Sequence, residues 1–531
     1  MSIQRGLLGL IITIVLVLGP VGTVFSLETE SAKADGSSAR PARSEESLIS
    51  HFVPDQPLRL DAENREIRIP FSIAPNARPD SIELLLSARP DGEHASGRIE
   101  AFVNRSRAVE LQPRSEPFEA RFALFSDDLR AGENVLVLRL TGEPRDGWRI
   151  DAAGSRLRVA AAPAGGYAAL DEIESALGAD FAAPRRVHIE ASAAGEDDLA
   201  VSALIAQGLA LRMGEAPILV RDPSVAELTI SAEVRPGAAA PAIDLTGPSE
   251  LRLSAGGAGS LIAAARLFAA RSMEAHAVRF DMTSALSARR LDRPREAARR
   301  QGALEALAEG GAPFGADQGG RAAVVIAAGD PEARAASLAV VARAALASGS
   351  AWLYAWYGED VADAPLNHDL LVLGPQDQLD PRLMASAPAE VRAAANAAAN
   401  RAPRERRFYG STAYADADTR SLDITGVAAL FDYGDGRRIA LITAPEGADY
   451  PRAAKRLARS GLWDGLEGRA VLWDAAQVTP FGPSQAPRFS AEWASRMVRA
   501  NDEWLALGAF SLAVFLLLIG RGVNRSARRD V

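Results

Sequence analysis

The most constraining feature of this chain is an uncharged apolar run from Leu505 to Ile519, with Trp504 before it and Arg521, Arg525, Arg528 and Arg529 after it. Crossing the hydrocarbon core takes about 20 mostly apolar residues, with about 17 as the lower limit. Counting Trp504 and Gly520, the run comes near that limit. Trp504 stands where an interfacial aromatic anchor belongs, and the arginine excess predicts a cytoplasmic C-terminus. A single transmembrane helix over 504–520 with a cytoplasmic tail over 521–531 would place the body of the protein outside the inner membrane. A buried core helix is the alternative reading, and the arginine cluster at one end argues against it.

The N-terminus points the same way. Arg5 opens a short positive region, Gly6 to Phe25 is largely apolar, and Ala32-Lys33-Ala34 offers a small-residue cleavage site. This is the pattern of a signal peptide over 1–34. An uncleaved N-terminal anchor would put the body on the same side. The chain has no cysteine, which excludes a lipid-anchored cysteine and disulfides, so ordinary cores must stabilise the exported domains. A net charge of −9 argues against a nucleic-acid surface.

Residues 35–50 read as a polar linker. From 51 to 162 short segments alternate with period two, among them Ile67-Arg68-Ile69, Ile99 to Val103, Phe118 to Phe122 and Val135 to Leu140, separated by turn clusters such as Pro90-Asp91-Gly92. Such spacing predicts a β-sandwich. Val103-Asn104-Arg105 together with Leu129 to Leu136 looks like the strand pair of a jelly-roll carbohydrate-binding domain. After Gly165-Gly166 strands alternate with helices over 163–284 and again over 320–480, which predicts parallel sheets with helices on both faces. Residues 285–319 read as a connector. Whether the two α/β stretches are halves of one domain stays open at this level.

Catalytic signals are missing. There is no G-x-S-x-G elbow, no H-E-x-x-H and no Walker loop. His51, His94, His188, His276 and His368 have no metal-ligand spacing, and His368-Asp369 has no accompanying serine motif. The sequence therefore predicts no catalytic residue, no metal site and no cofactor. The run Ser254 to Ser260 is glycine-rich, but its third glycine position is occupied by Ile262, so a tight strand-to-helix turn accounts for it. Phe52 and Trp148 are the rings the sandwich offers for carbohydrate contact, since sugars stack their CH faces on aromatic side chains. Trp352, Trp356 and Tyr357 fall on one expected strand and read as core or interdomain contact. Ahead of the span, Phe489, Trp493, Met497 and Trp504 recur near helical spacing, with Arg496, Arg499 and Glu503 on other faces. That pattern predicts an amphipathic interfacial helix over 488–503 contacting the membrane or a membrane partner, with a plain linker helix as the alternative.

This order of parts resembles the periplasmic, membrane-anchored B subunit of bacterial cellulose synthase. The local similarity lies in Ser460-Gly461-Leu462-Trp463-Asp464-Gly465-Leu466-Glu467-Gly468-Arg469-Ala470, similar to the family's W-x-x-L-x-G ending of the last α/β domain, in Gly132-Glu133-Asn134-Val135-Leu136 and in Leu370-Leu371-Val372-Leu373-Gly374. The family alternates two carbohydrate-binding domains with two flavodoxin-like domains, whereas 283–319 is too short here for a second sandwich. The resemblance implies a jelly-roll β-sandwich followed by flavodoxin-like α/β units, an interfacial helix and one transmembrane helix. It also implies a non-catalytic subunit that supports a membrane-embedded processive glycosyltransferase and guides the emerging cellulose or related polysaccharide. The cyclic-di-GMP attached to the family's name would bind the cytoplasmic synthase subunit. An anchored periplasmic polysaccharide-modifying enzyme and an envelope scaffold are the competing classes.

Overall fold

Ten antiparallel strands build the sandwich: β1 (Arg43–Leu48), β2 (Arg59–Leu60), β3 (Glu66–Ile73), β4 (Ala77–Pro90), β5 (Arg98–Val103), β6 (Ser106–Leu111), β7 (Phe118–Ala123), β8 (Gly132–Thr141), β9 (Trp148–Ile150) and β10 (Arg156–Pro163). One sheet runs β1-β10-β4-β9-β2 with β7 also on β4, and the other runs β3-β8-β5-β6. The period-two pattern explains the layering. In β3 Ile67, Ile69, Phe71 and Ile73 are buried while Glu66, Arg68 and Pro70 are exposed. The chain is seen here as a computed structural model that describes residues 42–53, 58–113, 116–124, 127–143, 145–163, 165–192, 197–270, 303–409, 426–434, 436–445, 449–459, 461–474 and 477–481.

The sandwich starts earlier than the sequence suggested. Part of the expected linker is β1, which pairs with β10 from Arg43↔Ala161 to Leu48↔Arg156. As an edge strand it carries charged residues, so it lacks the apolar alternation that marks the others. The Asn104 and Asn134 segments do meet. Asn104, at φ 54 in the turn between β5 and β6, donates to Asn134 Oδ1 at 3.0 Å and accepts from the Val135 N–H at 2.9 Å.

The first α/β sheet contains β11 (Arg186–Ser192), β12 (Ile218–Leu219), β13 (Leu228–Val234), β14 (Ala242–Gly247) and β15 (Glu250–Ala255), in the order β12-β11-β13-β15-β14. The second contains β16 (Ala322–Ile326), β17 (Trp356–Gly358), β18 (Asp369–Pro375), β19 (Gly426–Asp432), β20 (Arg438–Ala444), β21 (Ala470–Trp473) and β22 (Val478–Pro480), in the order β17-β16-β18-β20-β19-β21-β22. Both begin 2-1-3 in parallel and then close with an antiparallel hairpin, giving 2-1-3-5-4. A flavodoxin-like sheet runs 2-1-3-4-5, so the order departs from it after the third strand.

Four helices form the layer between the sheets: α1 (Asp197–Met213), α2 (Ala258–Ala269), α3 (Pro331–Ser348) and α4 (Tyr450–Arg459). α1 packs on α3, with α2 beside α1 and α4 beside α3. Gly208 permits the α1–α2 crossing, because a Cβ there would stand 2.9 Å from both Ala269 Cα and the Phe268 ring. The second sheet is covered on its other face by residues from Pro381–Ser386 and Ala389–Tyr409. Accordingly Leu370, Leu371, Val372 and Leu373 of β18 are all buried. The first sheet differs from the expectation of helices on both faces. In β13 Leu228, Ile230 and Ala232 are buried while Thr229 and Ser231 are half-buried, and no described helix covers that polar face.

Within the expected connector, Leu304–Gly310 is a helix packed on α3, with Leu304 and Leu307 buried and Trp463 Nε1 donating to Ala308 O at 3.2 Å. No helix among the described residues is long and apolar enough to cross a membrane. The expected signal peptide at 1–34, helix at 488–503, span at 504–520 and tail at 521–531 lie outside the described residues.

Candidate functional site

The expected site residues divide three ways. Phe489, Trp493, Met497 and Trp504 lie outside the described residues. Trp148 is fully buried and meets Phe118 edge-to-face at 5.5 Å. It presents no ring face to a polymer, which corrects the expectation that it contacts carbohydrate. Trp148 closes the sandwich instead, where β9 pairs with both β2 and β4. Phe52 is half-buried at the joint between the sandwich and the first α/β sheet, with its ring 5.9 Å from Phe181.

That joint is held by hydrogen bonds and ion pairs. Asp180 Oδ2 accepts from the backbone and hydroxyl of Ser72 at 2.7 and 2.8 Å, and Ala74 N donates to Phe181 O at 3.0 Å. Glu227, nearly buried, accepts from the Arg185 N–H at 2.7 Å and from the guanidiniums of Arg186 and Arg43. A buried carboxylate with this many donors is a structural tie. Among the described histidines, His188 Nδ1 lies 3.0 Å from Val220 O. The aspartate after His368 is occupied by Arg438, whose N–H donates to Asp369 Oδ1 at 2.8 Å. No cluster among the described residues could hold a metal ion.

The two α/β sheets are tied together by Gln207, which is fully buried on α1. Its Oε1 accepts from the Trp352 N–H at 2.7 Å, and its Nε2 donates to Tyr357 Oη at 2.8 Å and Ala203 O at 3.1 Å. Tyr357 in turn donates to Trp352 O at 2.9 Å. Burial pushes the Tyr357 phenol well above its ordinary range, so it stays a neutral donor. The expected strand Trp352 to Tyr357 is thereby corrected. Only Trp356–Gly358 is strand, because side chains and loops take the backbone groups before it; the Tyr354 N–H, for instance, donates to Gln318 O.

Beside this tie a cleft of about 950 Å³ opens between the two sheets. Its walls come from the start of α1 (Asp197, Asp198), from Arg266 on α2, from Arg334 on α3 and from the chain around β17 (Trp356, Glu359). Arg334 pairs with Glu359, and Arg266 Nε donates to Leu353 O at 2.8 Å. The cleft runs along β17 and the first turns of α1. Trp356, read as core or interdomain contact, packs on the core of the second sheet and borders this cleft. The usable signal for the cleft was the acidic chain that follows β11 and β17.

No family model matches this chain, and no curated protein does. Among solved structures it is similar to dimeric latent PorU from Porphyromonas gingivalis at 14% identity and a TM-score of 0.18, covering 25% of this chain and 14% of that one. It is similar to the CBM36-1 domain of a multidomain xylanase from the hindgut metagenome of Trinervitermes trinervoides at 9% identity and a TM-score of 0.16, covering 22% of this chain and 96% of that domain. A family 35 carbohydrate-binding module from an environmental isolate matches at 17% identity and a TM-score of 0.13, covering 23% of this chain and 92% of that one. Scores this low decide neither fold nor ligand.

Proposed function

We propose that this chain is a non-catalytic, membrane-anchored subunit of an inner-membrane synthase of cellulose or a related polysaccharide. The observation that supports the reading is architectural: an antiparallel sandwich followed by two α/β sheets tied to each other, the domain types of the cellulose synthase B subunit without its second sandwich. Its ectodomain would receive the emerging polymer on the periplasmic side. The segment 488–520, with Trp493 and Met497, would hold a processive glycosyltransferase through an interfacial helix and a span. Cyclic-di-GMP, a cytoplasmic messenger, would act on the synthase and not on this ectodomain.

Co-purification tests it. Tagged full-length chain extracted from membranes should bring down a processive glycosyltransferase, and its deletion should stop polymer synthesis in those membranes. Recovery of the chain without any glycosyltransferase, with synthesis unchanged, would leave an envelope scaffold as the better reading.

A further inference from the structure

The strand directions of the second sheet show where the chain leaves it. β16, β18 and β20 begin at one edge, where the Asp369 N–H donates to Arg321 O at 2.9 Å and Leu370 pairs with Ile439. β19 runs against β20, β21 against β19 and β22 against β21, so β22 heads back toward that same edge. The last described residue, Phe481, donates its N–H to Ala470 O at 2.8 Å, and Ala470 lies level with Ala429 and Leu441. From that level to Arg438 at the edge is about 10 Å of strand.

Leu366 stands at this edge, at the tip of the turn before β18 where the His368 N–H donates to Pro365 O at 3.2 Å. It is 78% exposed, while the next large hydrophobic among the described residues, Val225, is 45% exposed. A single exposed leucine is common; its place on the side from which the chain departs is what sets this one apart. Arg321 is exposed ahead of β16. α4 starts at the far end, where Ala453 O accepts from Trp473 Nε1, and packs back along β20, so the exposed Arg459 returns to the same side. The Arg437 guanidinium lies over the Tyr433 ring at 5.6 Å. Asp317, Asp363 and Asp432 are exposed in the flanking turns, and Asp369 is held by Arg438 at 3.1 Å. The charge is therefore mixed. Apolar, phenolic and guanidinium groups side by side suit the boundary between lipid headgroups and acyl chains.

We infer that this edge of the second sheet rests on the inner membrane, with Leu366 entering the headgroup boundary and Arg321 and Arg459 meeting lipid phosphates. The inference rests on the reading above, that 488–520 anchors the chain, and says which side of the ectodomain meets the bilayer. Residues 482–487 reach at most about 20 Å when fully extended, and about 10 Å of that is used in passing the edge. With 488–503 in the interface, the edge comes within about 10 Å of it. The turn needs little affinity of its own, because the anchor keeps it at high effective concentration beside the lipid.

The chain has no cysteine, so single cysteines can carry a reporter. Full-length chain with Leu366→Cys, or with Asp377→Cys beyond the opposite end of β18, is labelled with the fluorophore NBD and reconstituted in phosphatidylethanolamine–phosphatidylglycerol vesicles containing a headgroup nitroxide lipid. The label at 366 should shift to the blue and lose most of its emission to the nitroxide, and the label at 377 should do neither. Asn367→Cys serves as a second probe of the same turn should Leu366→Cys not fold. Equal quenching at 366 and 377, or none at 366 in chain that floats with the vesicles, overturns the inference and leaves the anchor reading. A blue shift at 366 without quenching would put a protein surface there and overturns it as well. Chain that does not float with the vesicles removes the anchor reading itself, and this inference with it.

Discussion

Gln207→Leu is the sharpest test of how the two α/β sheets are held together. Leucine has nearly the volume of glutamine, so packing between α1 and α3 changes little, but all three hydrogen bonds of the amide go. The Trp352 N–H is then buried without an acceptor, which costs about 1–3 kcal/mol. Tyr357 loses the proton it accepted but still donates to Trp352 O at 2.9 Å, so its contribution falls by less. The expected loss is about 2–3 kcal/mol, read as a lower midpoint in urea unfolding followed by tryptophan fluorescence. The location should show as faster limited proteolysis between Ser348 and Gly358. Tyr357→Phe in the same assay closes a double-mutant cycle, and the pair should couple by about 0.5 kcal/mol or more, as residues in one network do. A Gln207→Leu loss below about 0.5 kcal/mol, or strict additivity with Tyr357→Phe, would refute the idea that this network joins the sheets.

Trp148→Ala should lower stability by about 3–5 kcal/mol through the cavity it leaves, while cellohexaose affinity of the folded fraction stays at the wild-type value; a selective loss of affinity in titration would return Trp148 to the binding surface. Trp493→Asp with Met497→Asp should abolish glycosyltransferase co-purification, because each removes apolar contact worth about 25 cal/mol per Å²; undiminished recovery on affinity resin would mean that the helix is only a linker. A phosphatase reporter fused after Val531 should stay inactive and a cytoplasmic reporter there should work, and the reverse would overturn the topology. Burial pushes the Tyr167 phenol up to about 12 and raises Tyr357 and Tyr450 as well. The unfolded chain, with phenols near 10, then loses protons first, so stability should be intact below about pH 10 and fall as pH rises toward 12; absorbance at 295 nm that rises fully below pH 11 without unfolding would contradict this.

The sandwich was legible because alternation survives wherever one sheet face is buried, as in β3, and it failed at β1, whose exposed edge carries no alternation to read. The same rule holds a lesson for the α/β half. The unbroken apolar run of β18 signals cover on both faces, whereas Leu228-Thr229-Ile230-Ser231 in β13 alternates like a half-open sheet. The sequence already contained that difference between the two units. β14 went unread because Ile243 and Leu245 sit in a short stretch between Pro241 and Gly247. Trp148 was misplaced for one reason: composition marks an aromatic ring, but only tertiary packing decides whether its face is covered.

The matching 2-1-3-5-4 order has a consequence of its own. In each sheet the helix after the first strand faces its counterpart in the other, and the helix after the hairpin flanks it. A contact in which equivalent elements meet is the mark of a two-fold dimer. Within this one chain the two halves stand as a fused dimer, whose self-complementary face is permanently occupied. Fusion fixes the partner at high effective concentration and frees each half from having to recognise itself. The two halves differ at their edges: the second carries the helix over Ala389–Tyr409 and the strands β21 and β22, while the first presents a half-buried polar face in β13. A cleft lined by residues from both halves, each contributing different side chains, is something a symmetric pair of identical units could not have built just once.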